Sequence, residues 1–237
     1  MEINVKFAGI PLALNLKHTE FLPEFEPFAT TEPPLAHVSL DDSELNLMLR
    51  TYPDPPSEEY LEYSELCRRA SDALLPFGRA VFHSLAFKWR GRAWLVTAPS
   101  GTGKTTHYIQ WKRQYSDELT IMNGDKPIIA SENGKLWVHP SPWYGKEGMH
   151  RDDSAELAGI ILLKQSDSNT MRRLSIREAC APLYAQFLFS AQTAEQIAGV
   201  SAIETAMLES TPVWLLSNKG DLESAAFCRE TLKGAIE

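Results

Sequence analysis

Between an apolar run and an amphipathic run, the chain reads Ala98-Pro99-Ser100-Gly101-Thr102-Gly103-Lys104-Thr105. No other stretch restricts the fold as much. Trp94-Leu95-Val96 suits a buried strand. The Pro, the Ser and the pair of Gly that follow interrupt regular structure. From Thr105, the residues Tyr108, Trp111 and Tyr115 recur at spacings of three and four, which places them on one face of a helix. Strand, tight loop and helix in that order describe a phosphate-binding loop, here with Ala98 where the first Gly is usual. Small residues allow backbone N–H groups to turn inward around phosphate oxygens. The helix that follows points its positive dipole end at the same anion. Lys104 would reach the β- and γ-phosphates, and the Thr105 hydroxyl would bind Mg²⁺. The alternative is a Gly-rich turn that binds nothing, and the flanking strand and helix weigh against it.

The rest of the composition sets bounds on partners. The chain has 237 residues, 43% of them hydrophobic and 23% charged, as in an ordinary globular protein. Its net charge of −8 repels nucleic acid and anionic membranes, so neither is an expected partner. Cys67, Cys180 and Cys228 are far apart, odd in number and without zinc spacing. A reducing cytoplasm is the expected compartment. Met1-Glu2-Ile3-Asn4 has no basic or apolar leader character, and no apolar run approaches the length of a membrane helix.

Met1 to Leu49 reads as β-rich, with an alternating strand at Ile3–Phe7, a turn at Gly9-Ile10-Pro11, alternation again at Leu12, Leu14 and Leu16, and a strand over 35–40. Tyr52-Pro53-Asp54-Pro55-Pro56 is a connector. It divides the chain into a small N-terminal part, 1–56, packed on a nucleotide-binding domain, 57–237. A helix is expected from Ser57 to Leu75 with Tyr60, Leu61, Leu66, Ala70 and Leu74 on its apolar side. One strand is expected over Val81–Phe87, turned by Arg90-Gly91 into the strand before the loop. Leu119–Met122 is a strand, and Asn133-Gly134 turns a hairpin. Ile160–Leu163 and Val213–Leu216 are buried strands. Ser175-Ile176-Arg177-Glu178 is a capping box that opens a helix to about Phe189. A further helix covers 197–208, and Asp221 caps a last one. The fold class is α/β, a mixed sheet with flanking helices.

A few residues could carry chemistry. Asp125 falls at the carboxyl end of the strand after the loop helix, where ligands gather in open α/β sheets. A carboxylate there can hold Mg²⁺ or take the proton of an attacking hydroxyl; equally, it can be a turn residue. His83 could orient a carboxylate or shuttle a proton, or be a hydrogen-bonded strand residue. Lys146, in Trp143-Tyr144-Gly145-Lys146, could add positive charge over a phosphate or an acceptor; alternatively, Trp143 and Tyr144 are packing and Lys146 is a solvated charge. Arg172 and Arg173 border a strand and could meet a phosphate, but read first as surface residues.

In their order, His83, the Ser100–Thr106 string SGTGKTT and the Asp125 turn resemble the catalytic domain of HPr kinase/phosphorylase. The string also resembles that of ATP-dependent phosphoenolpyruvate carboxykinase. Uncharacterised bacterial HPr-kinase-like proteins are more similar still, through Ser100–His107 with Trp111, Asn123–Pro127 and Pro142–Glu147. The resemblance implies an HPr kinase C-terminal-domain-like fold and ATP-dependent phosphoryl transfer to a hydroxyl, on a Ser of a peptide or protein or on a small alcohol. Under it, Ser100, Gly101, Thr102, Gly103, Lys104, Thr105 and Thr106 bind ATP or GTP. Lys104, Asp125 and His83 are catalytic, Thr105 and Asp125 hold Mg²⁺, and a homo-oligomer is implied. Two departures stand out. That family has two adjacent Asp residues where this chain has Gly124-Asp125, and its E-x-R-G signature has no counterpart here. A nucleotide-binding sensor that transfers nothing is the alternative, and a carboxykinase-like lyase is a third.

Overall fold

The computed structural model describes residues 1–151 and 153–236. At the N-terminus, β1 (Glu2–Phe7) and β2 (Ile10–Asn15) form an antiparallel hairpin that pairs Phe7 with Ile10. The turn is Ala8-Gly9, both at positive φ, so Ile10 and Pro11 belong to the second strand rather than to the expected turn. After the short helix α1 (Leu22–Phe25), β3 (Ala36–Val38) joins β2 in parallel.

This N-terminal stretch is less exclusively β than its alternation indicates. α2 (Asp42–Thr51) occupies the stretch before the Pro-rich connector, opened by a capping box in which Asp41 accepts from Glu44 N. It buries only Leu45, which explains why periodicity does not reveal it. α3 (Glu58–Leu74) is capped by Ser57 and buries Leu66, Cys67, Ala70 and Leu74 against Val5, Phe7, Leu12 and Leu14, and Leu61 against Leu40 and Leu45. Tyr60, expected on that apolar side, instead stands 44% exposed.

The large sheet begins with β4 (Arg79–Phe82), β5 (Leu85–Trp89) and β6 (Arg92–Thr97). The expected single strand over 81–87 is broken at His83-Ser84. β4 pairs with β8 (Ile128–Glu132), while β5 pairs with β6 and with β7 (Leu119–Asn123). The chain therefore changes neighbours at His83. α4 (Lys104–Tyr115) lies between β6 and β7 in the chain. β9 (Lys135–His139) closes the Asn133-Gly134 hairpin with β8, both turn residues at positive φ.

β10 (Ala155–Gln165) joins the two halves of the sheet. Its first residues pair with β9, and its later ones run parallel to β6 on one side and to β13 (Val213–Asn218) on the other. β11 (Thr170–Arg173) pairs with β13. α5 (Ile176–Tyr184) opens on the expected Ser175–Glu178 capping box but ends before Phe189. Pro182 lacks an N–H for the helix ladder, and Phe187-Leu188 leave as β12 to pair with β4, the Phe187 ring packing edge-on against Phe82 at 4.9 Å. α6 (Ala194–Ser210) and α7 (Leu222–Ile236) complete the chain, and Asp221 accepts from Ser224 N at 2.9 Å.

Strand alternation sorts side chains to opposite faces. Ala86, Leu95 and Ile160 pack against Leu183, Ile203 and Met207 of α5 and α6. Phe87, Val96 and Ile161 pack against Tyr108 and Trp111 of α4 and Cys228 and Leu232 of α7. α4 is thus fixed to one face with its N-terminus at the carboxyl end of β6. No described helix is long and apolar enough to cross a membrane.

Candidate active site

The Gly-rich loop leaves β6 at Ala98. Gly101 and Gly103 sit at φ 78° and 104°, a region L-residues avoid, so the loop needs glycine at both for conformation rather than for space. Thr102 bonds Pro99 O through its backbone N and its hydroxyl, and Gln165 on β10 donates to Thr102 O at 3.3 Å. Gly103 caps α4 without a side-chain hydrogen bond, so the first amides of the helix remain open to a ligand. Ser100 and Thr106 are exposed, and Thr105 lines the neighbouring cavity, its hydroxyl making no hydrogen bond among the described residues.

Lys104 is buried, and burial lowers its pKa against the pull of Asp125. Its Nζ lies 2.9 Å from His83 Nε2 and donates to Ala98 O at 3.2 Å. His83 is held at the strand break from both sides. Its N–H donates to Gln186 O at 2.8 Å, and its carbonyl accepts from Thr97 Oγ1 at 2.8 Å. Gln186 Nε2 faces Pro182 O, which turns Gln186 Oε1 to His83 Nδ1 at 3.1 Å. With Nδ1–H donating to Gln186 Oε1, Nε2 is the nitrogen that faces Lys104 and Asp125. With a lone pair it accepts from Lys104. Protonated, it donates to Asp125 Oδ1, 3.3 Å away.

The position of Asp125 is set by a buried amide. Asn123 Oδ1 accepts from the backbone N of Asp125 and of Lys126 at 2.9 and 2.8 Å. Asn123 Nδ2 donates to Ser141 O and Oγ, both at 3.1 Å, and Ser141 Oγ donates to Lys126 O at 2.5 Å. Asp125 O accepts from Ser84 N at 2.9 Å, next to His83. Lys126 Nζ lies 2.5 Å from Asp125 Oδ2. Burial opposes ionisation of Asp125, but the His83 contact and the Lys126 charge outweigh it and hold the carboxyl at about 2. Burial likewise works against the Lys126 ammonium, and the Asp125 charge raises its pKa in spite of that.

His83, Lys104 and Asp125 thus come together at one cavity of about 920 Å³, which the loop, Lys126, Gln186 and the 143–147 segment also line. Lys146 stands exposed at its edge. Trp143 is packing, as one of the two sequence readings had it: it is buried against Phe7 and Phe25, and its Nε1 donates to Tyr63 O at 2.9 Å. Arg172 pairs with Glu178 at 2.8 Å outside the cavity lining. Sequence reasoning missed Asn123, Lys126, Ser141 and Gln186. A Lys directly after the candidate Asp was the available signal for Lys126. Gln186 has none, since 103 residues separate it from His83.

The departure at Gly124 has a steric cause. A Cβ there would lie 2.5 Å from Tyr144 O and 3.2 Å from Met149 O. The 142–149 segment occupies the space a second carboxylate would need. Gly124→Asp is therefore expected to lower unfolding stability by about 3 kcal/mol, read from urea denaturation, instead of supplying a second acid.

Potential metal ligands are sparse. No group of three or more His, Cys, Asp or Glu side chains gathers at one point among the described residues. The free Thr105 hydroxyl and the Asp125 carboxylate fit Mg²⁺, which keeps several waters and takes phosphate oxygens with one or two protein ligands.

No protein-family model matches the chain, and no curated protein does. Among solved structures, it is similar to the HPr(Ser) kinase/phosphatase from Coxiella burnetii. The match is 12% identical, has a TM-score of 0.38, and covers 66% of this chain and 99% of that one. The likeness is a distant one, of fold alone.

Proposed function

We propose that the chain transfers the γ-phosphoryl group of ATP to a hydroxyl acceptor, a Ser of a peptide or a small alcohol. The observation that carries this is the alignment of Lys104, His83 and Asp125 beside an uncapped helix N-terminus at one cavity. The amides of Ser100–Thr106 suit the phosphates of ATP or GTP. The Lys104 ammonium, partly desolvated, faces the charge that develops on the migrating group. Thr105 and Asp125 would hold Mg²⁺, which supplies neutralisation of phosphate charge. The acceptor oxygen bonds to the γ-phosphorus as the bond to the β-phosphate oxygen breaks, and ADP leaves. The acceptor proton passes to Asp125, with His83 Nε2 as the adjoining relay. Lys126 has two tasks in this scheme. In the free site it keeps Asp125 ionised. Turned toward a phosphate, it releases Oδ2 and strengthens the carboxylate as a base.

One observation favours a second reading, a nucleotide sensor that transfers nothing. Gly124 cannot bear a side chain, and both oxygens of the remaining carboxylate face cations or the imidazole. Incubation with γ-labelled ATP, Mg²⁺ and a panel of Ser peptides and small alcohols separates the two. Label on any acceptor is expected. Tight nucleotide binding with no label on any of them would leave the sensor.

A further inference from the structure

Phosphoryl transfer leaves part of the cavity lining unused: Phe21, Tyr60, Tyr63 and Glu24 line the same cavity and have no task in the transfer. The contacts run in order away from the loop, from Lys104 to His83 at 2.9 Å, His83 to Asp125 at 3.3 Å and Asp125 to Lys126 at 2.5 Å. Tyr60 stands close enough to Lys126 to feel its charge, and Tyr63 close enough to feel those of Asp125 and Glu24, so the aromatic wall adjoins the Lys126 end of this series.

The wall is built from packed rings. Phe21 stacks on Tyr63 with centroids 4.3 Å apart and planes at 13°, and Tyr60 lies 6.3 Å from Phe21. The Tyr63 hydroxyl donates to Pro142 O at 2.6 Å. Tyr60 presents its ring to the cavity from a helix whose neighbouring Leu61 is buried. Aromatic surface held open beside convergent polar groups is the usual make-up of a ligand pocket. Glu24 is half-buried, and no hydrogen bond or ion pair engages its carboxylate among the described residues. The Lys126 ammonium is paired with Asp125 and makes no ion pair with Glu24 among the described residues. A carboxylate beside aromatic faces attracts an organic cation twice over, by Coulomb force and by the ring quadrupoles. A neutral or anionic group gains neither.

The geometry points to an acceptor that carries an ammonium or guanidinium group next to its hydroxyl. The hydroxyl meets Asp125, and the cation lies on Phe21 and Tyr60 against Glu24. This rests on the phosphoryl-transfer reading for the Asp125 end. The nucleobase belongs elsewhere, because the phosphates follow the loop and the wall lies past Asp125 and Lys126.

Calorimetric titration of the intact chain, with Mg²⁺ and a non-hydrolysable ATP analogue present, tests it with the peptides Ac-Ser-Arg-NH₂ and Ac-Ser-citrulline-NH₂. The arginine peptide is expected to bind about tenfold more tightly, and Glu24→Gln to reduce the difference to about twofold. Affinity for the ATP analogue is expected to stay unchanged in that variant. Equal affinity for the two peptides, binding of neither, or a preference that survives Glu24→Gln would overturn the inference. So would Tyr60→Ala weakening the analogue while leaving the peptides alone, which would assign the wall to the base. Failure of the transfer reading looks different. Charge-selective peptide binding with no label from γ-labelled ATP would remove the reaction and keep the cation subsite.

Discussion

Replacing Lys104 by Ala is expected to lower phosphoryl transfer by about 10²–10³-fold, the usual cost of removing one pre-placed charge from a developing anion. The side chain is buried, and its burial already disfavours the charge. In the absence of nucleotide, Lys104→Ala should therefore melt at or above the wild-type temperature, since an incompletely compensated buried ammonium is gone. The stabilisation that ATP confers on the wild type should be largely absent from the variant, because a ligand stabilises in proportion to how far its concentration exceeds its dissociation constant. Thermal melts with and without Mg·ATP check both parts. A variant stabilised by ATP as much as the wild type would remove Lys104 from the phosphate site.

Asp125→Asn should lower transfer by about 10²–10⁴-fold, the range for loss of a positioned base. It also carries a signature in acid. The folded carboxyl titrates at about 2, below its ordinary value of 3.8. Its contribution to stability is complete above about pH 4 and is lost as the pH falls from there through 2. The wild type should exceed the Asn variant in unfolding free energy at neutral pH, and the gap should close across that acid window. Urea denaturation at a series of pH values reads it. A gap independent of pH would mean that the Asn variant loses packing rather than the charge shared with Lys126 and His83.

Local chemistry in the chain predicts local structure well. The β6–loop–α4 unit, the Asn133-Gly134 hairpin, the Ser175 capping box and the Asp221 cap all depend on residues a few positions apart. The features that shape the site depend on distant ones. The strand through His83 breaks because β4 and β5 choose different partners, and alternation within 81–87 cannot report that. Tyr60 faces the cavity because α3 packs on the N-terminal sheet through Leu66 and Ala70 rather than through the ring. Gly124 reads as a turn residue until Tyr144 and Met149 are laid over it. His83, Lys104 and Asp125 were legible as residues of interest. Their mutual contacts, and the contribution of Lys126, were not.

The buried Asn123 amide ties two segments into one piece. It fixes Asp125 and Lys126 on one side and holds Ser141, the root of the stretch through Lys146, on the other. The covering segment cannot swing as a flap without dragging the carboxylate along. Entry and exit must run through the open flanks of the cavity. Transplanting 141–147 into a related scaffold without 123–126 would carry across the roof and leave its foundation behind.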